Sequence, residues 1–179
     1  LDLCDQKRRL KIRTNADTPI DAARARKFGA EGIGLFRIEH MFYGEGSEEA
    51  LFHLRCMIMS NSPQTRQTAL DELYPYVRDD IRETLRVMEG LPMTIRLMDP
   101  PLHEFIPHQT EQKTQLTKAL DIDPDELARR IDQIRETNPM MGHRGVRLGV
   151  TYPEITELQA KAILTATAEL QAKDITVLP

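Results

Sequence analysis

Three arginines in this sequence of 179 residues stand where an anion could be held. Arg37 follows the apolar run Gly32-Ile33-Gly34-Leu35-Phe36 and is trailed by Glu39 and His40. Arg96 lies in Met93-Thr94-Ile95-Arg96-Leu97-Met98, just ahead of Asp99, His103 and Glu104. Arg144 sits with Asn138, His143 and Arg147 around a glycine-rich turn. A guanidinium is a planar fork of donors that stays charged at any accessible pH, which suits it to phosphate and carboxylate. Spacing alone leaves two readings open: an anion site, or ordinary ion pairs in which Glu39 or Asp99 is an arginine's mate. The five histidines show no HxH or HExxH spacing, and GIGLFR lacks the third glycine of a dinucleotide fingerprint. Cys4 and Cys56 have neither metal-ligand spacing nor the density of a disulfide scaffold. No metal ligand is therefore assigned in this chain.

Side chains of this kind need rigid supports. Residues 10–13, LKIR, read as a short strand, followed by a helix that Thr18-Pro19-Ile20-Asp21 opens with a capping residue and a first-turn proline and that Gly29 stops. Residues 32–36 read as a strand buried on both faces. A helical insertion follows, near 47–59 and then from Ser62-Pro63 to Gly90. Its second part carries Leu70, Leu73, Val77, Ile81, Leu85 and Met88 at three- and four-residue steps, with Pro75 expected to kink or break it. Residues 93–98 form the next strand, ended by Asp99-Pro100-Pro101. Residues 102–123 read mostly as loop with a helix at 110–120, and Asp123-Pro124-Asp125-Glu126 opens a further helix. A loop and a short strand around Val146–Val150 come next. A helix from Pro153 and an apolar run at 175–179 complete the order.

Strands alternating with helices specify an α/β fold with a parallel sheet, open or closed into a barrel. The count is about five strands in one domain, 1–179. A complete eight-stranded barrel takes typically about 250 residues, so the expectation is a partial (β/α)8 TIM barrel with a helical insertion after its second strand. In such folds ligands sit at the carboxyl ends of strands, which is where Arg37 and Arg96 fall.

Composition removes several function classes. With 24 Lys and Arg against 28 Asp and Glu the net charge is −4, and the signs are mixed along the chain, which argues against a nucleic-acid binder. No apolar run approaches the roughly 20 residues of a membrane span. The opening residues, LDLCDQKRRLKIR, are charged and lack the apolar core of a secretory signal, which favours the cytoplasm.

Four strings, RTNADTP (13–19), GAEGIGLFRIEHMF (29–42), TIRLMDPPLHEF (94–105) and NPMMGHRGVRLG (138–149), occur in this order. Together they resemble the phosphoenolpyruvate-utilising enzymes, and DPPLHEF resembles the dikinase branch more than the synthase or the protein phosphotransferase branch. The resemblance implies a TIM barrel that binds phosphoenolpyruvate or pyruvate and is served by a phosphohistidine domain of the same full-length chain. The full enzyme interconverts ATP, phosphate and pyruvate with AMP, pyrophosphate and phosphoenolpyruvate. By motif match Arg37 and Arg96 hold the phosphoryl group and Arg144 the substrate's phosphate or carboxylate side, with Asn15, Glu39, Asp99 and His143 around them. A homodimer through the barrel is also implied. Two departures stand out. The family shows Cys and Thr flanking the first arginine, where this chain has Phe36 and Ile38. The residues that hold Mg2+ and the cysteine that protonates the enolate belong to family segments not matched here. A non-catalytic binding module that keeps the arginines is the rival reading. The expected outcome is that residues 1–179 alone show no turnover when given pyruvate and a phosphohistidine donor; product formation in a coupled assay would refute the assignment.

Overall fold

The structure, a computed structural model, describes residues 2–44 and 46–179. A short helix α1, Asp2–Lys7, is followed by strand β1, Thr14–Asn15, helix α2, Pro19–Lys27, and strand β2, Ile33–Arg37. After a 3-10 turn over Ile38–Phe42 come α3, Glu48–Met59, and the long α4, Pro63–Val87; then β3, Met93–Arg96, and a second 3-10 turn over Leu102–Phe105. Helices α5, Thr110–Leu120, α6, Pro124–Ile134, α7, Val146–Thr151, and α8, Pro153–Gln171, complete the order. The sheet runs β1-β2-β3 and is parallel throughout. No helix among the described residues is long and apolar enough to cross a membrane.

Local chemistry sets these boundaries. Thr18 caps α2 by accepting the Asp21 N–H at 3.1 Å, and Ser62 caps α4 through the Thr65 N–H at 3.1 Å, each ahead of a proline that has no N–H to leave unsatisfied. Gly29, at φ +88°, takes the left-handed conformation that ends α2. Gly32 lets β2 approach the neighbouring chain: a Cβ there would lie 2.7 Å from the Pro92 carbonyl oxygen, which instead accepts the Ile33 N–H at 2.8 Å.

Helices α4 and α8 pack along each other. Leu70, Leu73, Val77, Ile81 and Leu85 of α4 and Ile155, Ala162, Ala166 and Leu170 of α8 are buried in one continuous core with Ile33, Phe36 and Met93 of the sheet. Polar contacts rim this seam: Arg66 pairs with Glu154 at 3.0 Å and lies over the Tyr152 ring at 4.6 Å, and Arg82 reaches Glu169 at 3.2 Å. Behind the 3-10 turns Phe42 and Phe105 meet edge to face, 5.7 Å between centroids.

Four expectations fail, each for a local reason. Residues 10–13 are not a strand; the first strand begins at Thr14. Leu10 and Ile12 are exposed, and the Ile12 N–H goes to the Glu31 carboxylate at 2.9 Å rather than to a ladder carbonyl. Pro75 does not split α4 into two helices, since the helix runs from Pro63 to Val87 through it. It sits on the exposed side, so the carbonyl it orphans is that of solvent-facing Asp71, while the buried stripe holds the helix on both sides. Residues 146–150 form a helix instead of a strand, with Leu148 buried and Val146 and Val150 about 80% and 79% exposed. In a strand all three would share a face, whereas at 100° per residue the outer two point away from the middle one. Finally, the sheet has three strands rather than five. The apolar end runs parallel beside β3 through a single bridge, Pro92 with Leu178, supported by Met93 N–H to Leu178 O at 2.9 Å and Gly90 N–H to Thr176 O at 2.9 Å.

On α4 Asp80 is turned inward without a hydrogen-bond partner among the described residues, and burial pushes its carboxyl up to about 6. Its folded pKa thus exceeds its unfolded one. The resulting penalty is absent below the ordinary carboxylate range, grows as pH rises through it, and is complete above about 6. Asp80→Asn is expected to stabilise the fold by about 1–3 kcal/mol at pH 8 and by almost nothing at pH 4. Urea midpoints at the two pH values check this; an equal effect at both would contradict it.

Candidate functional site

The carboxyl ends of the three strands converge on one cluster of charges. Arg37 and Arg96 are register partners across β2 and β3, so their backbones lie one strand spacing apart, about 4.8 Å. Two cations this close need counter-charge, and the loops after the strands supply it. Asp17, two residues beyond β1, accepts the Arg37 backbone N–H at 2.9 Å and its Nε–H at 3.0–3.1 Å through both oxygens, and also binds Nη2. The Arg37 hydrogen bonds, with His40 Nδ1 3.4 Å away, outweigh the burial that would raise Asp17 and hold its carboxyl below the usual range. Asp17 in turn raises Arg37.

Glu39, carried one turn past Arg37, reaches across to Arg96 Nη2. It is 3% exposed, among the few buried polar residues of the fold. Its Oε2 and the Arg96 Nε are both buried without partners among the described residues, so this pair holds one bond where two facing forks can make two. Asp99, immediately before the Pro100-Pro101 stop, joins the second and third arginines: its Oδ2 lies 3.4 Å from Arg96 Nη1 and also accepts Arg144 Nη2, while its carbonyl takes the Arg144 Nε–H at 3.1 Å. This hydrogen bonding raises the Arg144 guanidinium. Gly145, at φ +55°, gives Asp99 room, since a Cβ there would stand 3.1 Å from Asp99 Oδ1.

Beside the cluster lies a cavity of about 590 Å³ bounded by Arg96 and Asp99, by Thr156, Glu157 and Gln159 of α8, and by apolar Leu97, Met98, Leu148 and Ile155 with the glycine-rich turn. Its size accommodates a small phosphorylated acid. On the opposite side Asp17 and His40 face a second hollow of about 370 Å³ that Tyr76 and Asp80 help to line.

Arg37, Arg96, Arg144, Glu39 and Asp99 are therefore brought together. Asn15 is exposed, and its side chain bonds to none of the arginines among the described residues. His143 braces the turn instead: its Nε2 is 2.9 Å from Thr151 Oγ1 and its backbone N–H donates to Glu136 at 2.8 Å. Phe36 and Ile38, which flank the first arginine, are fully buried in the core, so they shape packing and offer the ligand nothing polar. Asp17 went unassigned in the sequence because the first strand was placed at 10–13. With the strand at 14–15, Asp17 is the polar residue that follows it, the same signal that singled out the others. Gln159 was also passed over, although its spacing places a polar residue in the apolar stripe of α8.

A parallel sheet ending in clustered arginines is the arrangement of an anion-binding α/β domain. The chain matches a family model over residues 2–178, that of the PEP-utilising enzyme, PEP-binding domain, and it belongs to this family of phosphoenolpyruvate-utilising enzymes. Among its relatives is pyruvate, phosphate dikinase of Rhizobium meliloti, 50% identical over 165 residues, covering 92% of this chain and 18% of that protein. The pyruvate, phosphate dikinase of Clostridium symbiosum is 47% identical over 167 residues, covering 93% and 19%, and the chloroplastic enzyme 1 of Arabidopsis thaliana is 49% identical over 177 residues, covering 98% and 18%. The chain thus spans less than one fifth of the length of these curated relatives.

Asp17 has a folded pKa below its unfolded one, so its contribution is present above the ordinary carboxylate range and is lost as pH falls through the folded value. Asp17→Asn is expected to lower stability by about 1–3 kcal/mol at pH 7, with the gap to the native chain closing in acid. Chemical denaturation at pH 7 and pH 3 would show it; a gap of equal size at both would argue against a charge-based role.

Proposed function

We propose that this chain is the phosphoenolpyruvate- and pyruvate-binding part of a pyruvate, phosphate dikinase. The observation that carries this is the in-register placement of Arg37 and Arg96 at strand ends, with Arg144 joined to Arg96 through one oxygen of Asp99. On this reading residues 1–179 are one domain and the parallel β/α order is a portion of a (β/α)8 barrel. The whole protein converts ATP, phosphate and pyruvate to AMP, pyrophosphate and phosphoenolpyruvate through a phosphohistidine domain, acting as a cytoplasmic homodimer. The names of the relatives favour the dikinase over the sibling phosphoenolpyruvate enzymes.

Phosphoryl transfer spreads charge over the equatorial oxygens, and fixed cations stabilise that charge without reorganising. Arg37 and Arg96 are fixed in this sense: Asp17 locks one edge of the first guanidinium and buried Glu39 holds the second, leaving their remaining N–H groups to meet phosphoryl oxygens. Arg144 takes the phosphate or carboxylate side of the ligand. Asp99 keeps its Nε and Nη2 in place, while Nη1, whose contacts with the Pro139 carbonyl and the Met140 sulfur are long at 3.5 Å, is left for the ligand. Mg2+ would supply charge neutralisation and polarise the enolate oxygen in the whole enzyme. Among the described residues the carboxylates of this cluster do not fit a cage for it, because Asp17, Glu39 and Asp99 are each engaged by arginine.

Binding of phosphoenolpyruvate measured by calorimetry tests the reading. Arg96→Lys keeps the charge but loses the fork and is expected to weaken binding about tenfold or more, and Arg37→Lys similarly. Unchanged affinity in both variants would sink the proposal.

A further inference from the structure

Among the neutral buried polar side chains, Ser60 and Thr84 return their hydroxyl protons to carbonyls one turn back on the same stretch of chain, Cys56 at 2.6 Å and Asp80 at 3.0 Å. Gln159 does something else. It is 3% exposed, and its Oε1 accepts the N–H of Met98, 61 residues away, at 2.6 Å. Its Nε2 donates to the Ile155 carbonyl at 3.0 Å, which fixes the amide's orientation so that oxygen faces Met98. Strand β3 ends at Arg96, so Met98 has no ladder partner, and α8 provides one. The next residue is Asp99, which grips Arg144 with both its carbonyl and its carboxylate and Arg96 with the same carboxylate oxygen. One buried amide thus stands a single peptide unit from the group that joins two of the three arginines.

We infer that Gln159 is a positioning residue of the anion site, fixing through the Met98 amide the backbone from which Asp99 holds Arg96 and Arg144. This rests on the reading of the site as one for phosphoenolpyruvate. The amide oxygen and nitrogen of Gln159 are both engaged by protein backbone, and the residue acts by keeping the Met98–Asp99 peptide from drifting toward the adjoining cavity; a displacement near 1 Å is enough to weaken a bidentate clamp.

Two substitutions in this chain test it. Gln159→Leu keeps the volume and removes both hydrogen bonds. Gln159→Glu keeps the acceptor for Met98 and regains the donor to Ile155 only when its carboxyl is protonated. The readouts are calorimetric affinity for phosphoenolpyruvate and for inorganic phosphate, circular dichroism, exchange of the Met98 amide, and the 15N resonance of Arg144 Nε. With helix content unchanged, Gln159→Leu is expected to lose about 10- to 100-fold in affinity for phosphoenolpyruvate. The same variant should speed Met98 amide exchange and shift the Arg144 resonance. Relative to the native chain at each pH, Gln159→Glu is expected to bind nearly normally at pH 5 and weakly at pH 8, a profile that a simple loss of packing does not produce. A folded Gln159→Leu variant with native affinity and an unmoved Arg144 resonance overturns the inference. If Gln159→Leu fails to fold, the Gln159→Glu profile decides, and a pH-independent ratio counts against it. If the native chain binds neither ligand, the functional reading fails by itself, and the Arg144 resonance still tells whether Gln159 positions that side chain.

Discussion

Like charges gathered in one place set the terms for this fold. Arg37 and Arg96 come from adjacent strands in register, and nothing in the sheet itself offsets their repulsion. The offset comes from three carboxylates on three connections: Asp17 after β1, Glu39 in the turn after β2, and Asp99 after β3. Each connection is held so that its carboxylate arrives at the right height. The Thr18 cap and Pro19 start α2 directly behind Asp17, the 3-10 turn folds Glu39 back over the sheet end, and β3 ends at Arg96, three residues ahead of Asp99. Stability and site geometry are for this reason the same problem: a connection that slips leaves a buried cation or a buried anion unpaired, which costs more than the pair contributes.

The helical layer serves that arrangement at one remove. Packing of α4 against α8 buries the apolar stripes of both and fixes α8 at a constant distance from the end of β3. Because the contact between α8 and the strand end is a hydrogen bond from a buried amide and not merely an apolar surface, the depth and rotation of the helix are specified together. The ion pairs along the seam, half-exposed and solvent-screened, add little by comparison.

The strands at 33–37 and 93–96, the α2 and α4 caps, the glycine stop and the arginines at the ends of those strands were legible in the sequence, because each rests on chemistry confined to a few neighbouring residues. The misreadings share a different cause. At Ile12 a side-chain carboxylate from 19 residues away takes the N–H that a strand would have used, and no local pattern announces it. At Pro75 the consequence of proline depends on which side of the helix faces water, a tertiary fact. Val146, Leu148 and Val150 alternate with Arg147 and Gly149 as a strand would, and only the burial of Leu148 alone reveals a helix. In the site, the arginines stood out by type and position. Their mates were only partly visible, since pairing across strands, Glu39 with Arg96 rather than with Arg37, is a product of the register.

Pairing every arginine with a carboxylate has a kinetic side as well. The three guanidinium groups and three carboxylates sum to about zero, within a chain whose net charge is −4. To an approaching multivalent anion these six side chains present no net charge, so they themselves add little to long-range steering. Capture is decided at contact, when ligand oxygens meet the N–H groups that the carboxylates leave unengaged. The site discriminates by fit at short range, and crowds of simple anions passing at a distance are neither concentrated there nor held.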